Sequence, residues 1–197
     1  FAQLNYMRRQ SLGVRTDRIL VVKFPGPTEG MKIKMEAMRK AIRKLPLVSK
    51  VTCSGSVPGE EVAMFLSNRR THDALKQNRL YEMLSCDPDY MDAYGLELVA
   101  GRGFSEDYGD DVNKLVINET AARTLGYTDY ESVIGEEISV ETIEEPMQVI
   151  GVVKDYHQQA LNRNYTPIML FHKDKIDWIP QRYILSLIHI SEPTRPL

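Results

Sequence analysis

What this 197-residue chain lacks narrows its function before any motif is read. It has no run of 18 or more apolar residues, so no segment is long and apolar enough to cross a bilayer as a helix. It begins at Phe1 without an apolar leader, and it reads as a piece of something longer. A formal net charge of -2, from 25 Lys and Arg against 27 Asp and Glu, offers no basic stripe for nucleic acid. Arg8, Arg9, Arg15, Arg18 and the lysines that follow make the start of the chain locally basic. They are scattered among acids and read as a solvated face. Cysteine is scarce. Cys53 and Cys86 match neither a metal spacing nor a redox motif, and both read as small buried hydrophobes, with a disulfide left open as the alternative. Internal repeats and low-complexity tracts are absent too.

Catalytic and cofactor-binding patterns are equally thin. Gly101-Arg102-Gly103 lacks the third glycine of a dinucleotide fingerprint and the Gly-Lys-Ser/Thr ending of a phosphate loop. It reads as a turn with a surface arginine. Glu106, Asp107, Asp110 and Asp111 supply oxygen ligands but not the alternating acids and terminal glutamate of a calcium loop, so they read as a solvated acidic loop. The four histidines have no metal-ligand spacing. Asp155 and His157 follow an apolar strand, where a general base would suit an open sheet. However, neither serine nor cysteine stands in a nucleophile-like context nearby. We expect no enzyme, no cofactor and no bound metal.

The remaining residues carry a clear pattern of elements. Ile19 to Phe24 is a short apolar run stopped by Pro25-Gly26-Pro27, which predicts a buried strand and a turn. Met31, Met35, Met38, Ile42 and Leu45 then recur at helical spacing, with Lys32, Lys34, Arg39, Lys40 and Arg43 elsewhere around the helix and Pro46 ending it. Val48 to Cys53 is a second strand, completing a β-α-β unit that needs a sheet under its helix. Residues 60–77 show no assignable period. Asp87 to Tyr94 predicts a short helix with Pro88 at its first position, and Leu96 to Val99 a short strand. Asn118 is placed to cap a helix over Glu119–Leu125 that Gly126 closes. Strands are expected at 115–117, 138–140, 149–153, 167–171 and from Tyr183, with Val149 to Val153 buried on both faces.

Several of these segments, in order, resemble one family. Tyr90-Met91-Asp92-Ala93-Tyr94-Gly95-Leu96-Glu97-Leu98 with Gly101-Arg102-Gly103-Phe104-Ser105 is one. Val116-Ile117-Asn118-Glu119-Thr120-Ala121-Ala122 is the next, followed by Ile134-Gly135-Glu136-Glu137-Ile138. Ile150-Gly151-Val152-Val153-Lys154-Asp155-Tyr156-His157, with Leu161 and Pro167, completes the set. Together they resemble the MacB-like periplasmic core domain of FtsX-like ABC transporter permeases of the Bacteroidetes type.

The resemblance implies an α+β fold: a porter-like β-α-β sheet-and-helix subdomain at 1–60 and 146–185, with a smaller mixed α/β subdomain inserted at 61–145. It implies an extracytoplasmic domain on the periplasmic side of a bacterial inner membrane. Such a domain transmits ATP-driven conformational change to an extracytoplasmic adaptor or to a lipoprotein or peptide substrate. The partner ATPase is cytoplasmic and reached through the membrane region, and the isolated domain is expected to be monomeric. Gly101, Arg102, Phe104, Asn118, Glu119, Gly151, Lys154, Asp155 and His157 carry the family-like motifs and are expected to be structural. Phe65, Arg69 and Arg70, in the unpatterned segment, are candidate partner contacts, since an irregular excursion from a sheet can serve as a docking surface. Ser186 to Leu197 resembles a translated sequencing adapter and is set aside as non-native. Two other readings compete: a soluble extracytoplasmic ligand- or protein-binding module, and a hydrolase using Asp155 and His157.

Overall fold

The computed structural model describes residues 13–23, 30–62, 64–74, 77–109, 111–159, 163–175 and 183–188, with 31–32 and 183–188 described by backbone alone. Leu4, Tyr6, Met7, Leu12, Phe24, Asp110 and Leu161 lie outside them. The described residues form an α+β fold on a 10-stranded mixed sheet. The strands are β1 Ile19–Lys23, β2 Val48–Ser54, β3 Phe65–Arg70, β4 Arg79–Cys86, β5 Leu98–Gly101, β6 Lys114–Asn118, β7 Glu137–Val140, β8 Met147–Val153, β9 Ile168–His172 and β10 Tyr183–Ile188. Three α-helices accompany them: α1 Met31–Arg43, α2 Tyr90–Tyr94 and α3 Glu119–Thr124.

The first part of the sheet is the expected β-α-β unit. β1 and β2 each pair antiparallel with β10, which lies between them. They are therefore parallel to each other, as a helical crossover requires. α1 lays Met35, Met38 and Ile42 against Val51, Cys53, Val22 and Val48. One expectation is corrected here. β1 is an edge strand, not a buried one, and leaves Leu20 and Val21 52% and 42% exposed. Arg39, which the helical spacing places away from the apolar stripe, is nonetheless buried. β10 continues to Ile188, three residues past Leu185, with Ser186 opposite Leu20 and Val51 and Leu187 opposite Ile19 and Lys50.

The rest of the sheet closes on itself. β4 pairs with β3, β3 with β7, β7 with β8, β8 with β6, β6 with β9, and β9 again with β4. The result is a closed ring in which every strand has two neighbours and no edge is left open. Cross-strand partners share a face. Leu66, Tyr81, Met83, Leu115, Ile117, Ile138, Val140, Met147, Val149, Met169 and Phe171 therefore fill the interior. α3 covers one end with Ala121, Ala122 and Leu125. Outside the ring, Leu84, Val116, Ile150, Ile168 and Leu170 form a second core with Tyr90, Met91, Tyr94, Phe104 and Tyr156. β8 is thus buried on both faces, as its apolar run predicts.

β3 lies in the segment that shows no sequence period, and β4 follows directly after it. The hydrogen-bonded sheet also crosses the expected boundary at 146, because β8 joins β6 and β7. The two parts meet at β4, whose Cys86 pairs with Ser54 of β2. Asp87, immediately after, pins the junction. Its backbone N–H donates to the Cys53 carbonyl at 3.1 Å, and its carboxylate accepts from the Cys53 N–H at 2.9 Å and from the Thr52 hydroxyl.

Candidate functional site

The motif residues converge around the ends of β5, β6 and β8. Gly101 and Gly151 face each other across β5 and β8. A Cβ at Gly151 would stand 2.1 Å from the Arg102 carbonyl oxygen, and one at Gly101 would stand 2.2 Å from the Ile150 carbonyl oxygen. The two backbones approach this closely only because neither residue has a side chain. Gly101 also adopts φ 64°, which favours glycine further.

Arg102 is not a free surface arginine, and Asp111 is not part of a solvated loop. Asp111 is 5% exposed and takes both terminal nitrogens of Arg102, at 2.7 and 2.9 Å, together with the Ser105 N–H at 2.8 Å. Burial alone would raise the Asp111 carboxyl. The hydrogen bonds from Arg102 and Ser105 outweigh it and hold the group below its ordinary value. The guanidinium also lies 4.1 Å from the Tyr108 ring centre. Phe104 packs in the outer core and meets the edge of His172 at 6.1 Å.

A second knot ties α3 to the segment after β8. The Asn118 side chain caps α3 by accepting from the Ala121 N–H at 2.9 Å. The same oxygen accepts from the Ile168 N–H at 2.9 Å, and the amide donates to the Thr166 carbonyl at 2.8 Å, so one residue joins α3 to the start of β9. Glu119 accepts from the Asp155 N–H at 3.0 Å. Asp155 in turn accepts from the Thr120 N–H and hydroxyl, both at 2.8 Å, and from Arg123 at 2.5 Å. Both carboxylate oxygens of Asp155 are thereby engaged. His157 lies elsewhere, its ring 4.5 Å from Tyr165. Lys154 reaches Glu97 at 3.3 Å on the surface. The pairing that a hydrolase would need between Asp155 and His157 is absent among the described contacts.

The candidate partner residues stand apart from these knots. Phe65 is 47% exposed on the outer face of β3. Arg69 and Arg70 end the same strand and line a cleft with Asp73, Gln77, Arg79, Tyr81 and the end of α3 at Thr124 to Gly126.

The sequence reading missed the buried polar groups. Asp87 is fully buried, with Arg39 Nε 3.9 Å away, and its carboxyl is pushed up to about 6, chiefly by burial. Glu82 is buried against Gln159 at 2.5 Å. Gln158 donates to Ser56, Val57 and Glu60, stitching the turn after β2 to the turn after β8. An acid or amide in a polar stretch gives no sequence signal of burial; only the closing of the sheet around it does. Cys53 and Cys86 are buried free thiols, and burial pushes the Cys53 thiol up to about 12. One correction concerns α2: Asp89, not Pro88, borders its first turn, so the proline precedes the helix. Among the described residues no helix is long and apolar enough to cross a membrane, and no three His, Cys, Asp or Glu side chains converge as a metal site would need.

Solved structures share this fold. A domain described as that of a permease from Porphyromonas gingivalis superposes with a TM-score of 0.60 at 21% identity, covering 90% of this chain and 77% of that one. The periplasmic region of MacB from Actinobacillus actinomycetemcomitans gives 0.60 at 17% identity, over 96% of this chain and 82% of that one. The extracellular domain of the noncanonic ABC-type transporter YknZ from Gram-positive bacteria gives 0.58 at 16%, over 87% and 85%. No curated protein matches the sequence. Residues 3–190 match the family described as MacB-like periplasmic core domain. That match spans nearly the whole chain, and the chain belongs to this family of extracytoplasmic domains of ABC transporter permeases.

Proposed function

We propose that this domain is carried by a bacterial inner-membrane permease and passes ATP-driven movement from a cytoplasmic ATPase to an extracytoplasmic partner or substrate. The observation that carries the reading is how the chain enters and leaves the fold. β1 and β10 are antiparallel neighbours, with Val21 opposite Leu185 and Lys23 opposite Tyr183. The start of β1 and the end of β10 therefore lie side by side, with Ile19 opposite Leu187. A domain held through both ends on one membrane surface needs this arrangement.

A second feature supports the mechanical part. Strand pairing between the closed ring and the β-α-β unit is confined to Ser54 with Cys86, next to Asp87, and side chains supply the remaining contacts, among them Arg43 with Asp89 and Gln158 with Val57. We accordingly redraw the expected division. β1, α1, β2 and β10 form the membrane-proximal, porter-like part, and the ring from β3 to β9 forms the distal part. We propose that Ser186 to Leu197 replaces a natural continuation of β10. The motif residues, on this reading, hold the ring rigid and touch no substrate.

Sequencing the source locus beyond both ends tests the anchoring. Apolar spans of about 20 residues on each side are the expected result. A reading frame that opens just upstream with a signal peptide and stops after Leu197 refutes it in favour of a secreted binding module. Transmission is tested by hydrogen exchange on the intact permease with its ATPase. Protection around the β2–β4 junction should differ between the ATP-trapped and nucleotide-free states, and identical protection throughout the domain sinks the mechanical reading.

A further inference from the structure

The mouth of the ring beside α3 is built unlike the rest of the interior. Apart from Asn68, inward-facing positions elsewhere are apolar, but β3 ends in Arg70 and β4 begins with Arg79 on the inward rows, directly beyond Asn68 and Tyr81. Arg69 on the adjacent row lines the same cleft. Two buried polar atoms beneath these arginines have no hydrogen-bond partner: the Tyr81 hydroxyl, on a side chain 1% exposed, and Asn68 Oδ1, on a residue fully buried. The Asn68 amide is spent on the sulfurs of Met83 and Met169, at 3.2 and 3.3 Å. An unsatisfied hydroxyl at the floor of a cationic cleft is a donor waiting for an acceptor.

We propose that this cleft binds a carboxylate carried by an acidic peptide segment of an extracytoplasmic protein. The charges decide the sign of the ligand. Arg70 is paired with Asp73 at 3.7 Å and leans toward the Tyr127 ring, whereas Arg69 and Arg79 carry no ion pair among the described residues. Among the lining residues three cations stand against one carboxylate, and with Glu136 also acting on Arg70 an excess of positive charge remains. That excess is tempered by Asp73 and by the carbonyl-bearing end of α3 at Thr124 to Gly126. Such a field suits a singly charged carboxylate better than a doubly charged phosphate. Arginine forks bind a carboxylate through two parallel N–H donors, and the Tyr81 hydroxyl supplies a third. The cleft is open toward the exposed Arg79 rather than enclosed, so it accommodates a side chain projecting from a larger molecule. This inference does not depend on how the domain moves. Its failure would leave the transmission reading intact, and failure of transmission would leave the cleft untouched.

The test is titration of this chain with a capped hexaglutamate peptide, its hexaglutamine counterpart, free glutamate and inorganic phosphate, at constant ionic strength. Hexaglutamate should bind and hexaglutamine should not. Arg69→Gln with Arg79→Gln should weaken binding at least tenfold, and Tyr81→Phe about threefold, each with an unchanged unfolding midpoint. Arg79→Lys should recover part of the loss. Lys34→Gln with Lys40→Gln on α1 removes the same charge elsewhere and should leave binding unchanged. Four results overturn the proposal: no hexaglutamate binding, equal loss in the α1 control, phosphate binding tighter than the peptide, or free glutamate binding as tightly as the peptide.

Discussion

Replacing Arg39 by leucine should destabilise the protein by an amount that depends strongly on pH. Asp87 is fully buried at the junction between β2 and β4, and its carboxyl titrates at about 6 instead of the ordinary 3.8. Burial is the main cause, opposed by the hydrogen bonds from Thr52 and Cys53 and by the Arg39 charge. The sign follows from proton linkage. The folded state binds this proton more tightly than the unfolded chain. The contribution to stability is therefore full below about pH 4, falls as pH rises toward 6, and levels off above it. A displacement of about two pKa units corresponds to roughly 3 kcal/mol between the two limits. Above pH 6 the buried carboxylate depends on Arg39, whose side chain is 8% exposed and whose Nε has no hydrogen-bond partner. Removing one partner of a buried pair costs about 3–5 kcal/mol. The 3.9 Å separation is long for an ion pair and argues for the lower end. Arg39→Leu should then lose about 3 kcal/mol at pH 8. At pH 4.5, where Asp87 is largely protonated in the fold, the loss should be under about 1 kcal/mol. Urea unfolding followed by circular dichroism at the two pH values measures both. Equal losses, within about 0.5 kcal/mol, would refute the argument and make Arg39 a packing residue only.

Gly151→Ala should destabilise by about 2 kcal/mol or more, since its Cβ would meet a backbone oxygen that cannot rotate away. Thermal unfolding checks it, and a midpoint equal to that of the parent chain would show that β5 can move off β8. Asn118→Ala should cost about 3 kcal/mol, because it removes a helix cap and strands the buried N–H groups of Ala121 and Ile168. Asn118→Asp keeps both acceptor contacts and should lose markedly less in the same denaturant titration.

The parts of the fold legible in the sequence are those where one chemical rule acts alone. The three-and-four spacing of Met35, Met38 and Ile42 marks α1 because only a helix gathers those residues. Asn118 announces its cap, and Gly126 its stop at φ 97°. β3 and β4 are not legible because their inward rows mix Leu66, Tyr81 and Met83 with Asn68, Arg70 and Arg79. Alternation of apolar and polar residues breaks down where a ring opens into a charged mouth. Asp87 and Glu82 are invisible for a related reason: the groups that make their burial tolerable lie far along the chain, Arg39 and Thr52 for Asp87 and Gln159 for Glu82. The motif residues stood out as a pattern, while their partnerships, Asp111 with Arg102 and Asp155 with Thr120 and Arg123, required the fold.

The position of β10 between β1 and β2 sets the order in which the chain can assemble. The ring closes once β9 is available, at residue 172, and from then on it has no free edge. β1 and β2 are synthesised long before, yet they face a gap one strand wide until residues 183–188 arrive. During synthesis the backbone edges of β1 and β2 that face this gap stand open, an invitation to wrong pairing. The closure that ends this exposure joins the two most distant segments of the described fold, the kind of contact that forms slowly. A nascent copy arrested before residue 183 would hold a finished ring on an unfinished base, and that base is where quality control would find it.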